Sequence, residues 1–172
     1  SCFKDITKCA PKIRSIYTNI RDNIEYKHFV YSKYNAYGVR LIRGYLKYKD
    51  WTEISTNRLK KIFKNYNEAL KIGFKPEIDE TYLDEFVDGL SEHAFIVLEG
   101  DSESKRNEIL TQALFNLPQN VSGKLVKVLV TGEKYKEGIS LMDTNFVHIL
   151  EAPINNADKE QIIGRVIRNC SH

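Results

Sequence analysis

Gln161-Ile162-Ile163-Gly164-Arg165-Val166-Ile167-Arg168 is the stretch on which the reading of this 172-residue chain turns. At about 100° per residue, Gln161, Gly164, Arg165 and Arg168 fall on one face of a helix, and Ile162, Ile163, Val166 and Ile167 fall on the other. The isoleucine-valine face must be buried for such a helix to be stable. The opposite face then holds two guanidiniums and an amide at fixed spacing. A guanidinium fork matches phosphate oxygens, so two rigidly placed arginines suit a polyphosphate. Solvated arginines on an ordinary amphipathic helix fit the same pattern, and for the octapeptide taken alone that is the favoured reading. Asn156 or Asp158 is a candidate N-cap.

Working outward, four nearly continuous apolar runs read as strands buried on both faces: 28–32, 94–99, 126–131 and 146–150. Helical periodicity alternates with them. Residues 12–25 place Ile13, Ile16, Tyr17, Ile20 and Ile24 on one stripe. Residues 36–48 do the same with Val39, Ile42 and Leu46, and residues 102–117 with Ile109, Leu110, Ala113, Leu114 and Leu117. This alternation predicts an α/β fold, three αβα layers around a mainly parallel sheet. Between 49 and 93 the pattern changes. Residues 55–71 predict a basic amphipathic helix with Leu59, Ile62, Phe63, Tyr66 and Leu70 inward and Lys60, Lys61 and Lys64 outward, ended by Gly73 and Pro76. An acidic stretch follows. The whole segment 49–93 is expected to be an insertion within one domain covering 1–172, either a decorated edge or a surface for nucleic acid or a partner.

Upstream of the arginine helix stand Lys136-Glu137-Gly138-Ile139-Ser140-Leu141 and then Asn145-Phe146-Val147-His148-Ile149-Leu150-Glu151-Ala152-Pro153. In this order and spacing, the three strings resemble motifs V and VI of superfamily 2 helicases. The likeness is to the nucleic-acid-dependent NTPases and early transcription factor subunits of poxviruses, asfarviruses and giant viruses. It is closest over 126–172 and looser over 12–46 and 95–115. One departure is Ile154, where those relatives usually carry an aromatic residue after the loop proline.

The resemblance implies the second RecA-like lobe of a two-lobed motor. ATP and Mg²⁺ would lie between this lobe and a first, N-terminal lobe. Arg168 would then be the arginine finger and Arg165 a second phosphate contact. Gln161 would help couple water, the γ-phosphate and the opposite lobe, and Gly138 would let backbone approach the nucleotide or nucleic acid. DNA or RNA would be met at strand ends by Tyr31, Ser32 and Lys33, by Gly100 and Asp101 with Arg106 on the following helix, and by Thr131 and Gly132. Each of these nucleic-acid candidates is also an ordinary turn or cap residue. Viral transcription machinery is an implied partner, in the host cytoplasm or the virion.

No G-x-x-x-x-G-K-[ST] loop occurs, and Asp79-Glu80-Thr81-Tyr82 does not match the family's acidic motif. The expectation is therefore a fragment of a longer protein, inactive alone as an NTPase. A module that kept the lobe fold and lost catalysis, binding nucleic acid or protein, is the alternative of another class. A stand-alone nucleotide binder lacks the glycine-rich cradle it would need.

Composition adds bounds. The chain is 42% hydrophobic and 28% charged, as globular domains are, and no apolar run approaches the roughly 18 residues of a membrane span. Cys2, Cys9 and Cys170 lack C-x-x-C spacing, which argues against a zinc site or a disulfide framework. A net charge of +3 hides an asymmetry: residues 1–75 hold 17 Lys/Arg against 6 Asp/Glu, whereas 77–103 holds ten acids and no Lys or Arg. A basic half can follow a phosphate backbone, or the halves can satisfy each other. The acids are expected to form a solvated face or an internal electrostatic partner rather than a metal site.

Overall fold

The computed structural model describes residues 6–33, 38–90, 93–98, 104–133, 141, 143–150 and 157. Its elements follow in the order α1 (Ile6–Asp22), β1 (Lys27–Ser32), α2 (Arg40–Tyr48), β2 (Thr52–Glu53), α3 (Thr56–Ile62), α4 (Glu80–Leu90), β3 (Ala94–Leu98), α5 (Ser104–Phe115), β4 (Val128–Gly132) and β5 (Thr144–Ile149). The strands form one sheet in the order β2-β3-β4-β1-β5, and every pairing is parallel.

Alternation along each strand sorts the core into two layers. Phe29, Tyr31, Ile96, Leu98 and Leu129 face one cluster, which α3, α4 and α5 complete through Leu59, Ile62, Leu83, Phe86, Leu110 and Leu114. Val30, Phe95, Val128 and Val130 face the other, which α1 and α2 complete through Ile13, Ile16, Ile20, Ile42 and Leu46. The result is the three-layer αβα sandwich that the alternating pattern predicts, with all five strands parallel.

Among its described residues, segment 49–93 carries the edge strand β2, then α3, a 3₁₀ turn and α4. Thr52 and Glu53 pair with Ala94 and Phe95, so this segment extends the sheet as well as covering it. The helix expected over 55–71 stops at Ile62. Phe63 turns extended (φ −105, ψ 110) and bridges to Ile78. Asn65 holds that break open. Its side-chain amide donates to the Lys75 carbonyl at 2.8 Å and its oxygen accepts from the Glu77 N–H at 2.9 Å. Such local side-chain bonds compete with helical ones. A single 3₁₀ turn, Tyr66–Glu68, follows. The acidic stretch forms α4, capped by the Asp79 carboxylate, which accepts the Tyr82 N–H at 3.1 Å. Leu83 and Phe86 point inward while Glu80, Asp84 and Glu85 are exposed, so these three acids follow the solvated-face alternative.

Two histidines sit side by side where β1 meets β5. His28 and His148 stack at 5.3 Å between centroids, with His28 Nδ1 3.0 Å from His148 Nε2 and His28 Nε2 2.9 Å from the Asn23 carbonyl. A neutral His28 donating to Asn23 can only accept at Nδ1, so His148 Nε2–H is the donor between the rings. Burial lowers the pKa of His28, reinforced by Lys127 and partly offset by the Asn23 bond and Glu25. Burial and then the neighbouring His28 push His148 down to about 4. Both rings therefore gain protons more readily unfolded than folded, and stability falls with acid. Conformational stability is expected to hold above pH 6.5 and to drop as pH falls from 6.5 towards 4. The loss should reach about 3 kcal/mol for His148 alone. Urea midpoints measured against pH test this, and His148→Leu should flatten the curve over that window.

Candidate nucleic-acid and nucleotide edge

The carboxyl ends of the strands form one edge, where open parallel sheets bind ligands. The register brings candidate residues from separate parts of the chain together there. Tyr31 lies opposite Thr131 and Ser32 opposite Gly132. Leu98 of β3 lies opposite Thr131 from the other side, and Ile149 of β5 flanks Tyr31. The β4–β1 neighbours are thus the centre of the edge.

The side chains differ in what they offer. The Tyr31 ring is 5% exposed and belongs to the core under α3 and α5, and its carbonyl accepts from the Leu150 N–H at 2.9 Å. Tyr31 positions this edge; its ring is not presented as a surface contact. Ser32 is fully buried, and Lys33 is half-buried just past the strand. Thr131 is fully buried too, and its hydroxyl has no hydrogen-bond partner among the described residues. A buried hydroxyl without a partner is costly, which sets Thr131 Oγ1 apart from the other polar groups of this edge.

Arg106, on the first turns of α5, lies with its guanidinium 5.6 Å from the centre of the Tyr66 ring, a cation–π arrangement. Tyr66 in turn donates its hydroxyl to Asn107 Oδ1 at 2.9 Å, and the Asn107 amide donates to Thr56 Oγ1 at 3.1 Å. The segment between α3 and α4 thereby sets the position of Arg106. Sequence pattern places Tyr66 on an apolar stripe and misses this role, since nothing local links it to Asn107, a residue 41 places later. At the sheet edge, Arg43 of α2 pairs with Glu53 of β2 at 2.6 Å.

Gly100, Asp101, Gly138, Gln161, Arg165 and Arg168 lie outside the described residues. Among the described residues, no group of three or more His, Cys, Asp or Glu could hold a metal ion, and no helix is long and apolar enough to cross a membrane.

Comparison with known proteins agrees with this architecture. The helicase conserved C-terminal domain family matches residues 55–170, a span that includes both the Gly138 and the Arg165–Arg168 strings. A protein of Acanthamoeba polyphaga mimivirus named as a putative ATP-dependent RNA helicase is 38% identical over 84 residues, which is 49% of this chain and 14% of that protein. Proteins of African swine fever virus named as homologues of the termination factor NPH-I are 35% identical over 78 residues, 45% of this chain and 11% of theirs. The matched region is thus a small part of these much longer relatives. No solved structure matches the chain significantly.

Proposed function

The chain belongs to the helicase conserved C-terminal domain family, and from that membership we propose that it acts as the second RecA-like lobe of a viral nucleic-acid-dependent ATPase. The observation that carries the reading is the family match over 55–170, which takes in the glycine string and the two-arginine string together. ATP with its Mg²⁺, held against a first lobe, would supply the γ-phosphoryl group. This chain's share would be charge neutralisation and positioning. Arg168 would reach the γ-phosphate as it becomes more negative, Arg165 would hold a neighbouring oxygen, and Gln161 would orient the attacking water. The Thr131 hydroxyl, buried and unpartnered at the strand ends among the described residues, fits an oxygen-rich ligand there. Ser32, Lys33 and Gly132 adjoin it, and with Gly100, Asp101 and Arg106 they would form the track for DNA or RNA. A role in viral transcription is the preferred setting, given relatives named as termination factor homologues.

Polymer-stimulated ATP turnover by the full-length parent tests this. Stimulation by RNA or DNA supports a motor and identifies its polymer. A parent that binds nucleic acid but turns over no ATP would instead be the non-catalytic module.

The exposed Lys60, Lys61 and Lys64 bear on the track separately. Lys60 and Lys61 rest 5.3 Å and 6.0 Å over the rings of Tyr66 and Tyr82, which holds their stems against the fold. If they follow the phosphate backbone, changing all three to Ala should weaken binding at low salt and reduce the slope of log K against log salt by roughly 2 to 3. An unchanged slope in a salt titration would take this surface off the track.

A further inference from the structure

A second polar depression lies on the same carboxyl edge, one strand away from Thr131. It is a cavity of about 220 Å³ between the ends of β2 and β3 and the start of α5. Its polar side includes Arg43, Glu53, Ser55, Thr56, Asn107 and Thr111, and Leu59, Ile96 and Leu98 supply apolar wall. A cavity of about 150 Å³ already admits benzene, so this one has room for a heterocycle.

Thr111 is the informative residue. It is fully buried, it lines the cavity, and its hydroxyl has no hydrogen-bond partner among the described residues. A helical threonine normally bonds back to a carbonyl one turn earlier; this one does not. Asn107 beside it is 8% exposed and is oriented by Tyr66 and Thr56, with one amide hydrogen still unassigned among the described residues. Glu53 is held in place by Arg43 at 2.6 Å and Lys47 at 3.7 Å. A carboxylate and a hydroxyl can accept N–H groups, and an amide can donate to a ring carbonyl or ring nitrogen. Proteins hydrogen-bond an unstacked base on its exposed edges, and these groups can do so, with the Arg43 guanidinium also in the lining.

We infer that this cavity takes one splayed-out nucleobase of the bound strand, recognised at its hydrogen-bonding edge by Glu53, Asn107 and Thr111. The inference rests on the nucleic-acid reading above and adds a base-specific pocket to it. The end of the β2 edge strand then forms part of the pocket wall, and Tyr66 orients its amide.

A binding scan against the full-length parent tests the pocket, using single-stranded oligonucleotides of about twelve nucleotides, each carrying one abasic position. Removing the base that enters the pocket should weaken binding about tenfold, as loss of one bound base does elsewhere. Other positions should lose less. In Thr111→Val that positional loss should shrink to about threefold, and Thr111→Ser, which keeps the hydroxyl, should restore it. Thr111→Val removes a buried hydroxyl that has no partner among the described residues and strands no other group, so its thermal midpoint should be at or above the parent's and certify the fold. Tight binding with no abasic-sensitive position, or an undiminished positional loss in Thr111→Val, would overturn the pocket while leaving the nucleic-acid reading intact. Failure to bind any oligonucleotide would overturn both.

Discussion

Arg168→Ala in the full-length parent is expected to lower polymer-stimulated ATP turnover by roughly 10³-fold or more, with nucleic-acid affinity within about twofold of the parent's. The size follows from when the interaction acts. A finger meets charge that grows on the γ-phosphate as the bond breaks, so its removal raises the barrier more than it weakens ground-state binding. The loss should therefore appear in kcat, with KM for ATP little changed. Arg168→Lys should recover only part of it, because an ammonium keeps the charge but not the planar fork. Steady-state kinetics at saturating polymer, beside oligonucleotide binding for each variant, read the two effects separately. Equal turnover in Arg168→Ala would remove this residue from the chemistry and pass the role to Arg165. A parallel loss of nucleic-acid affinity would make Arg168 a structural residue of its lobe.

The second large effect concerns stability. Asn120→Leu is expected to cost about 3 to 5 kcal/mol. Asn120 is fully buried in the connection from α5 to β4. Its amide donates to the Phe115 carbonyl at 2.9 Å. Its oxygen accepts from the backbone N–H groups of Leu125 and Val126, each at 3.0 Å. One side chain thus ties the end of α5 to the run into β4, the central strand of the sheet. Leucine fills the space but leaves those two buried N–H groups without this acceptor, and each carries a desolvation penalty. The Phe115 carbonyl is spared, since Lys27 Nζ also donates to it at 2.8 Å. Lys27→Met should for the same reason cost less than Asn120→Leu. Urea unfolding followed by circular dichroism measures both. A loss under about 1 kcal/mol for Asn120→Leu would mean that the loop repacks and finds other acceptors.

Much of the architecture is legible locally. The apolar runs around Phe29, Ile96, Leu129 and Val147 all form strands, because a strand buried on both faces must be apolar at nearly every position. The stripes Ile13-Ile16-Ile20 and Val39-Ile42-Leu46 form the buried faces that α1 and α2 turn to the sheet. β2 is not legible: two polar residues make no pattern, and Thr52 and Glu53 are a strand only because Ala94 and Phe95 lie beside them. Residues 55–71 read as one long helix because Leu59, Ile62, Tyr66 and Leu70 keep helical spacing through the break that Phe63 and Asn65 make. In α4 the helical spacing of Leu83, Phe86 and Val87 is present but diluted by the acids around it, so charge is the stronger local signal.

The candidate edge divides the same way. Ser32, Thr131 and Gly132 can be nominated from strand ends, and the register then brings them together. That Tyr31 turns its ring into the core, that Tyr66 supports Arg106, and that the Thr111 hydroxyl finds no partner among the described residues cannot be read from any window of sequence. By itself, the sequence determined the α/β alternation, the arginine and glycine strings and the family, because periodicity and motif spacing are properties of neighbouring residues. The tertiary structure alone decided the spatial order β2-β3-β4-β1-β5, the segment that joins the sheet at its edge and the polar groups left unsatisfied. Those depend on hydrogen bonds and packing between residues far apart in the chain, which local pattern does not encode.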